Sequence, residues 1–420
     1  MNNILEFKQS NNYKFVLKSF WIDWSTDKHG NIMKKQQPYI ALVNTKNSTY
    51  IIHPLTNFIL NWRWSYKSYN TKRKYTSNLI NFLNFLLKNK HDLNIYNISD
   101  IDITTGNSFL NKYTFNQKKR NTIIDATRTL TYFYVWLDEQ GLLNNVDTAF
   151  IQSKRQKDLH NNKSYYESFF NPILPKYEKP NKIHMLPIRY VPLFIEMALI
   201  YAHPIALGIY FQFFGGIRTG EVINIKRTEI KKRMDNLDFL IKLKENNLRT
   251  DLRDSSGGDY VKKNRKQIVF QINDWGTILQ KEHINHYQKL DVNNTGALFI
   301  NRDGKPMSRK SYDQYFYKLK NKFIDFLLKN GTLEDKTIAM DLKASNWGTH
   351  IGRGSFTNFI AEQIDNPAEL MFLRNDSSME SSLPYLIGTN RIKEKVQNSV
   401  NNMQTNYLLT LIDRNNIDKR

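Results

Sequence analysis

The chain has 420 residues, room for two or three domains with separate cores. Lys and Arg outnumber Asp and Glu by 61 to 39, and the net charge of +22 favours a polyanionic partner, nucleic acid before an acidic membrane surface, although a Lys- and Asn-rich coding bias would raise the same number. Hydrophobic residues at 40% exclude a disordered chain, the lack of Cys excludes disulfides and thiolate metal sites, and no run approaches the roughly eighteen apolar residues of a transmembrane helix.

The opening MNNILEFKQSNNYKF has no basic-then-apolar signal pattern, so a cytoplasmic location is expected. Residues 1–54 alternate short apolar runs (FVLKSFWIDW, PYIALVN, TYIIHP) with turn residues, which predicts a few strands and a hairpin turn over Asp27–Asn31. Residues 55–148 read as helices. Tyr75, Leu79, Phe82, Leu83 and Leu86 recur at helical spacing, as do Ile124, Leu130, Phe133 and Leu137 in the segment from Ile123. Basic clusters punctuate this region: Lys67, then Lys72, Arg73 and Lys74, then Lys118, Lys119 and Arg120. Residues 149–184 are polar and carry Pro172, Pro175 and Pro180, the composition of a linker. His160 and His184 stand alone there and suggest no role.

From Met185 an apolar helix over Leu193–Leu207 leads into FFGGIRTGEVINIKRTEI at 213–230. Two predicted strands, LDFLIKLKE and KQIVFQIN, flank NNLRTDLRDSSGGDYVKKNR, a connection longer than a simple hairpin loop. His283 and His286 have the spacing of a metal pair, but no carboxylate or third ligand accompanies them, and no metal site is expected. Residues 308–330 form a basic helix whose Tyr312, Tyr315, Phe316, Leu319, Phe323 and Phe326 are expected to face a core. Phosphate-binding glycine loops, HExxH and GxSxG motifs are missing, so nucleotide hydrolysis, zinc proteolysis and serine hydrolysis find no support.

Two stretches carry chemistry. Arg218 lies between apolar residues, where burial is costly unless the charge is met. Glu221, three positions on, can take the guanidinium as a bidentate pair. Downstream, HIGRGSFTNFIAEQ places His350 and Arg353 on one helical face, followed by an apolar stripe of Phe356, Phe359 and Ile360. A His and an Arg so placed suit an oxyanion such as phosphate.

The two stretches, in this order and with Tyr385 about thirty residues beyond Arg353, resemble the two arginine boxes and the nucleophile of the tyrosine recombinases, the phage-integrase family. The resemblance implies a mostly α fold with small β elements (α+β), in which a helical core-binding domain and a catalytic domain form a C-shaped DNA clamp. It divides the chain into a β-rich extension over 1–54, either a small β element packed on the next domain or an arm-binding or accessory element, a core-binding domain over 55–148, a linker over 149–184, a catalytic domain over 185–390 and a tail over 391–420. Arg218 and Arg353 would stabilise the charge gathering on phosphorus, with Glu221 behind Arg218. His350 would accept the phenol proton or hold the phosphate, and Tyr385 would attack. A hairpin lysine would protonate the leaving oxygen: Lys262 first, then Lys263, then Lys266. Lys72, Arg73, Lys74, Lys118, Lys119, Arg120, Lys263 and Lys266 become expected DNA contacts. No cofactor is implied. The partners that the resemblance implies are double-stranded DNA, a synaptic tetramer of the chain and accessory proteins, with a place at a bacterial nucleoid. The tail residues Ile392, Val396, Val400 and Met403 would pack on a neighbouring protomer or in cis.

Two positions depart from the family pattern. The site about nine residues before the Tyr, a His or Trp in the family, is Asp376, with Asn375 beside it as an alternative donor. The His that often follows the second Arg is Gly354. These changes keep open a different class of function, a catalytically silent DNA-binding regulator on the same fold.

Overall fold

The computed structural model describes residues 12–26, 30, 32–157, 164–177, 182–233, 238–252, 258–261, 263–364 and 366–374. The chain forms two compact units, residues 1–179 with 250–257, and residues 180–249 with 258–420. Among the described residues, no helix is long and apolar enough to cross a membrane.

The first unit opens with an antiparallel sheet of β1 (Tyr13–Thr26), β2 (Ile32–Asn44) and β3 (Tyr50–Ile52), β2 being central. β1 and β2 pair from Tyr13↔Asn44 to Thr26↔Ile32, and most of the expected Asp27–Asn31 turn lies outside the described residues. Of that turn only Gly30 is described, at φ +81°. Helices α1 (Thr56–Leu60), α2 (Tyr69–Asn89), α3 (Ile103–Phe115), α4 (Arg120–Glu139) and α5 (Thr148–Ser153) follow, then a short hairpin of β4 (Arg155–Lys157) and β5 (Ser164–Tyr166).

Sheet and helices share one core, in which Phe15 and Ile40 join Leu79, Phe82, Leu83 and Leu86 of α2. Asn84 fixes the junction: its Nδ2 donates to the Phe15 carbonyl at 2.8 Å and its Oδ1 accepts the Phe15 N–H at 2.9 Å. The boundary expected at residue 54 therefore falls inside one unit. Ile123, not Ile124, turns inward on α4, and Ile124 stays exposed. The expected linker over 149–184 also differs. Tyr166, Phe169 and Phe170 are buried in the first unit's core, because the YYESFF run carries more apolar surface than its polar neighbours suggest.

The second unit contains α6 (Val191–Tyr201), α7 (Ala206–Gly215), α8 (Thr219–Val222), β6 (Ile230–Lys232), β7 (Phe239–Leu243), β8 (Arg265–Val269), α9 (Trp275–Tyr287), α10 (Arg309–Asn330), α11 (Leu333–Ala344), α12 (His350–Gln363) and α13 (Pro367–Arg374). β7 is central in a three-stranded antiparallel sheet. Every residue of α7 is buried, as its nearly all-apolar sequence requires, with Gln212 satisfied by Thr219 and Tyr312, and α12 packs against it. On α10, Tyr312, Phe316, Leu319 and Phe323 face the core, while Phe326 is exposed. His283 is a core residue whose Nε2 lies 3.0 Å from the Leu298 carbonyl, and burial pushes its pKa down to about 4. His286 instead meets the ring of His203, so the two do not converge on one point.

Phe15→Ala should destabilise the first unit by about 3–5 kcal/mol, the usual cost of emptying a buried Phe site. Hydrogen exchange on the full chain should show protection falling along α2 and α4 as well as β1. Loss confined to β1 would mean that the sheet is an independent element.

Candidate active site

Helix α7 stops at Gly216, whose φ of +60° is the left-handed cap that Gly adopts without a Cβ penalty. The chain turns there and places Arg218 at the N-cap of α8. The Arg218 N–H donates to Glu221 Oε2 at 2.9 Å, and its Nη1 donates to Oε1 at 3.1 Å. Glu221 is only 1% exposed, whereas the Arg218 side chain is about a quarter exposed (27%).

The bidentate partner expected of Glu221 is a different arginine. Arg265 on β8 donates Nη2 to Oε2 at 2.8 Å and Nη1 to Oε1. Arg218 meets the carboxylate through one guanidinium nitrogen and its own backbone N–H. Period-two alternation explains the placement: Arg265, Gln267 and Val269 face inward, and Lys266 faces out. That alternation in RKQIV was the available sequence signal for Arg265. Burial alone would raise the pKa of Glu221. Hydrogen bonds and charge from Arg265, then charge from Arg218, outweigh it and keep the carboxyl below its ordinary value.

The opposite wall comes from α12, which begins at His350. His350 and Arg353 both line an open cleft of about 700 Å³ that also takes in Arg218. Arg353 is buried, donating Nη1 to the Gly216 carbonyl and Nη2 to the Arg374 carbonyl at 3.1 Å. Thus the turn that presents Arg218 also anchors Arg353. Phe356 and Ile360 continue the same helix into a small core with Ala361 and Leu370, the inward stripe expected from the sequence.

The cleft is strongly cationic. Lys182, Arg218, Arg309, Lys320, Arg353 and Arg374 line it, against one carboxylate, Asp313. His350 lines it as an exposed residue, yet its pKa is lowered. Crowding strips water from the ring, and the charges of Arg309, Arg218 and Arg353 oppose a further proton, with Asp313 pulling the other way. A neutral imidazole near pH 7 can accept a proton.

His184, passed over in the sequence, also lines the cleft. Its carbonyl explains Gly354: a Cβ there would lie 1.6 Å from the His184 oxygen. The position that follows the second box Arg has no room for a side chain.

The expected DNA contacts divide. Lys72 is 2% exposed and donates Nζ to Gln37 Oε1 at 2.9 Å; burial, then Lys35, lowers its pKa. It is part of the interior and is withdrawn as a phosphate contact. Arg73 is half-buried, and Lys74 pairs with Asp125 at 2.5 Å. Arg120 donates Nη1 to the Pro175 carbonyl at 3.1 Å, while Lys118 and Lys119 are exposed. Lys263 and Lys266 are exposed beside and on β8. Lys262, Asn375, Asp376, Tyr385 and the tail beyond 390 lie outside the described residues; the described chain ends at Arg374, which lines the cleft.

Arg265→Met leaves the Glu221 carboxylate without its main partner. Near neutral pH the loss should be about 3–5 kcal/mol, typical of a broken buried pair. Glu221 has a depressed pKa in the folded wild type, so its stabilising effect is present above the unfolded carboxyl pKa and disappears as pH falls through the folded one. The stability gap between variant and wild type should therefore narrow toward acid pH. Denaturant unfolding across that range provides the check, and a gap independent of pH would assign the loss to packing alone.

No protein-family model matches the sequence, and no curated protein sequence does. Solved structures match its fold. It is similar to the XerH site-specific recombinase bound to palindromic difH substrate in a post-cleavage complex, with a TM-score of 0.52 and 18% identity over 78% of this chain and 80% of that one. It is similar as well to the Tn1549 transposon integrase in complex with circular intermediate DNA, with a TM-score of 0.51 and 14% identity over 81% of this chain and 98% of that one. Its mostly α architecture with small antiparallel sheets matches the tyrosine-recombinase fold of these structures.

Proposed function

We propose that the protein is a site-specific DNA recombinase or integrase of a phage or other mobile element, which cuts and rejoins double-stranded DNA through a 3′-phosphotyrosine. The observation that carries this reading is the meeting of Arg218, His350 and Arg353, from stretches far apart in sequence, on one cation-lined cleft. Arg218 and Arg353 offer planar donors to the non-bridging oxygens of a phosphodiester, and their fixed charge stabilises the added negative charge of the phosphorane. The Tyr385 oxygen attacks phosphorus, and the phenol proton passes to His350. The bond from phosphorus to the 5′ oxygen breaks, and Lys262, or one of its neighbours Lys263 and Lys266, protonates that oxygen. The covalent adduct keeps the bond energy for rejoining. Lys118 and Lys119 are the favoured phosphate contacts of the first unit, and the working assembly is a tetramer on DNA.

On DNA carrying its own attachment site and nicked near the cleavage point, the wild type should leave an adduct that survives denaturant. Tyr385→Phe should abolish the adduct with DNA binding nearly intact. Lys262→Ala should cleave poorly on normal DNA and recover on a bridging 5′-sulfur substrate, since a thiolate leaves without a proton; recovery in Lys263→Ala or Lys266→Ala instead would move the assignment. An adduct that persists in Tyr385→Phe would refute the nucleophile. Tight binding with no adduct from wild type would favour the silent regulator.

Binding itself should weaken steeply with salt through counterion release, by on the order of a thousandfold between about 50 and 200 mM. A nearly flat dependence would count against any nucleic-acid function.

A further inference from the structure

Arg309 is the cation of the cleft to which the sequence pointed least, since residues 308–330 read as a core-facing helix. It is the first residue of α10, and Ser308 caps that helix by accepting the Ser311 N–H. Its side chain shares the cleft wall with Arg218, His350 and Arg353. Among the charges that oppose a proton on His350, that of Arg309 comes ahead of Arg218 and Arg353.

The three arginines are held differently. Arg353 is buried against two carbonyls, and Arg218 is tied by side chain and backbone to the buried Glu221. Arg309 is a third exposed, with Nε 3.3 Å from Asp313 Oδ2 one helical turn on and Nη1 3.5 Å from the Gly258 carbonyl. The Asp313 side chain is 46% exposed, so the pair is a surface ion pair of the kind that contributes little. The Gly258 contact is at the outer limit of a hydrogen bond. A phosphodiester offers the guanidinium fork two oxygens at once, and Asp313 can return to water when displaced.

We propose that Arg309 is a further substrate-binding residue of this cleft, exchanging Asp313 for a backbone phosphate of the DNA. The proposal rests on the nucleic-acid part of the function proposed above and is independent of the covalent step. Arg309 also has a structural duty, because its backbone N–H donates to Asp259 Oδ1 at 3.0 Å and so ties the 258–261 turn to α10. The test separates the two duties.

The experiment measures non-covalent affinity for a mixed-sequence DNA duplex across a salt series, in a Tyr385→Phe background. Arg309→Gln should weaken binding roughly tenfold at low salt and lower the slope of log affinity against log salt by about 0.9, the share of one phosphate contact. Arg309→Lys should keep the slope and recover only part of the affinity. Asp313→Asn, which removes the competing carboxylate, should bind more tightly than the parent. Asp259→Asn, which loosens the turn and leaves the guanidinium, should keep the parent slope. The charged groups around the His350 ring are Arg218, Arg309, Arg353 and Asp313, with Lys182, His184, Lys320 and Arg374 further along the wall. In Arg309→Gln, the His350 signal in an NMR titration should move to higher pH. An unchanged slope in Arg309→Gln, or an equal fall in Asp259→Asn, would reduce Arg309 to a structural residue. A parent protein with no salt-dependent binding would sink this proposal together with the DNA reading. A slope change without any adduct from the wild type would uphold Arg309 and remove only the strand-joining chemistry.

Discussion

The second unit depends on one buried carboxylate. Glu221 is almost fully removed from water and would be untenable there without cations, since an isolated buried charge costs several kcal/mol (on the order of the effective penalties measured in proteins). Two arginines meet it from different directions, Arg265 across from β8 and Arg218 from the turn before α8. The pairing sets the strand against the helix and limits where Arg218 can extend. An apolar residue in place of Glu221 could fill the same volume, but it would hold neither arginine.

From that point the cleft builds outward through backbone groups. Gly216 ends α7, and its carbonyl takes Arg353 from α12; the Arg374 carbonyl at the end of α13 takes the other end of the same fork. Three helices already packed on one another thus also share one guanidinium. The resulting concentration of positive charge is tolerable because the cleft is open to solvent on one side. On electrostatic grounds it favours anions and, after the burial that acts first, it lowers the pKa of His350.

Much of this was legible in the sequence, for physical reasons that differ by region. The inward stripes of α2 and α10 follow from helical spacing, and the two strands β7 and β8 from period two. Arg218, His350 and Arg353 stood out because charged residues interrupted apolar runs at helical intervals. Lys72 was misread because a lysine in a basic triplet resembles a surface residue; only the packing of β2 over α2 shows that its amine ends on Gln37. The alternation of β8 marks Arg265 as inward-facing, but its partner Glu221 lies 44 residues away, and Arg309 meets the 258–261 turn across a similar separation, so local pattern reveals neither pairing. His184 was passed over for the same reason.

The contact between Gly354 and the His184 carbonyl limits how the protein can evolve. A side chain after Arg353 is closed to any single substitution, because backbone, which cannot choose another rotamer, already fills the space. An imidazole at this position would first need a change that redirects the chain at 182–186. Any variation in the chemistry of that wall must come instead from the side chains of the other elements that line the cleft.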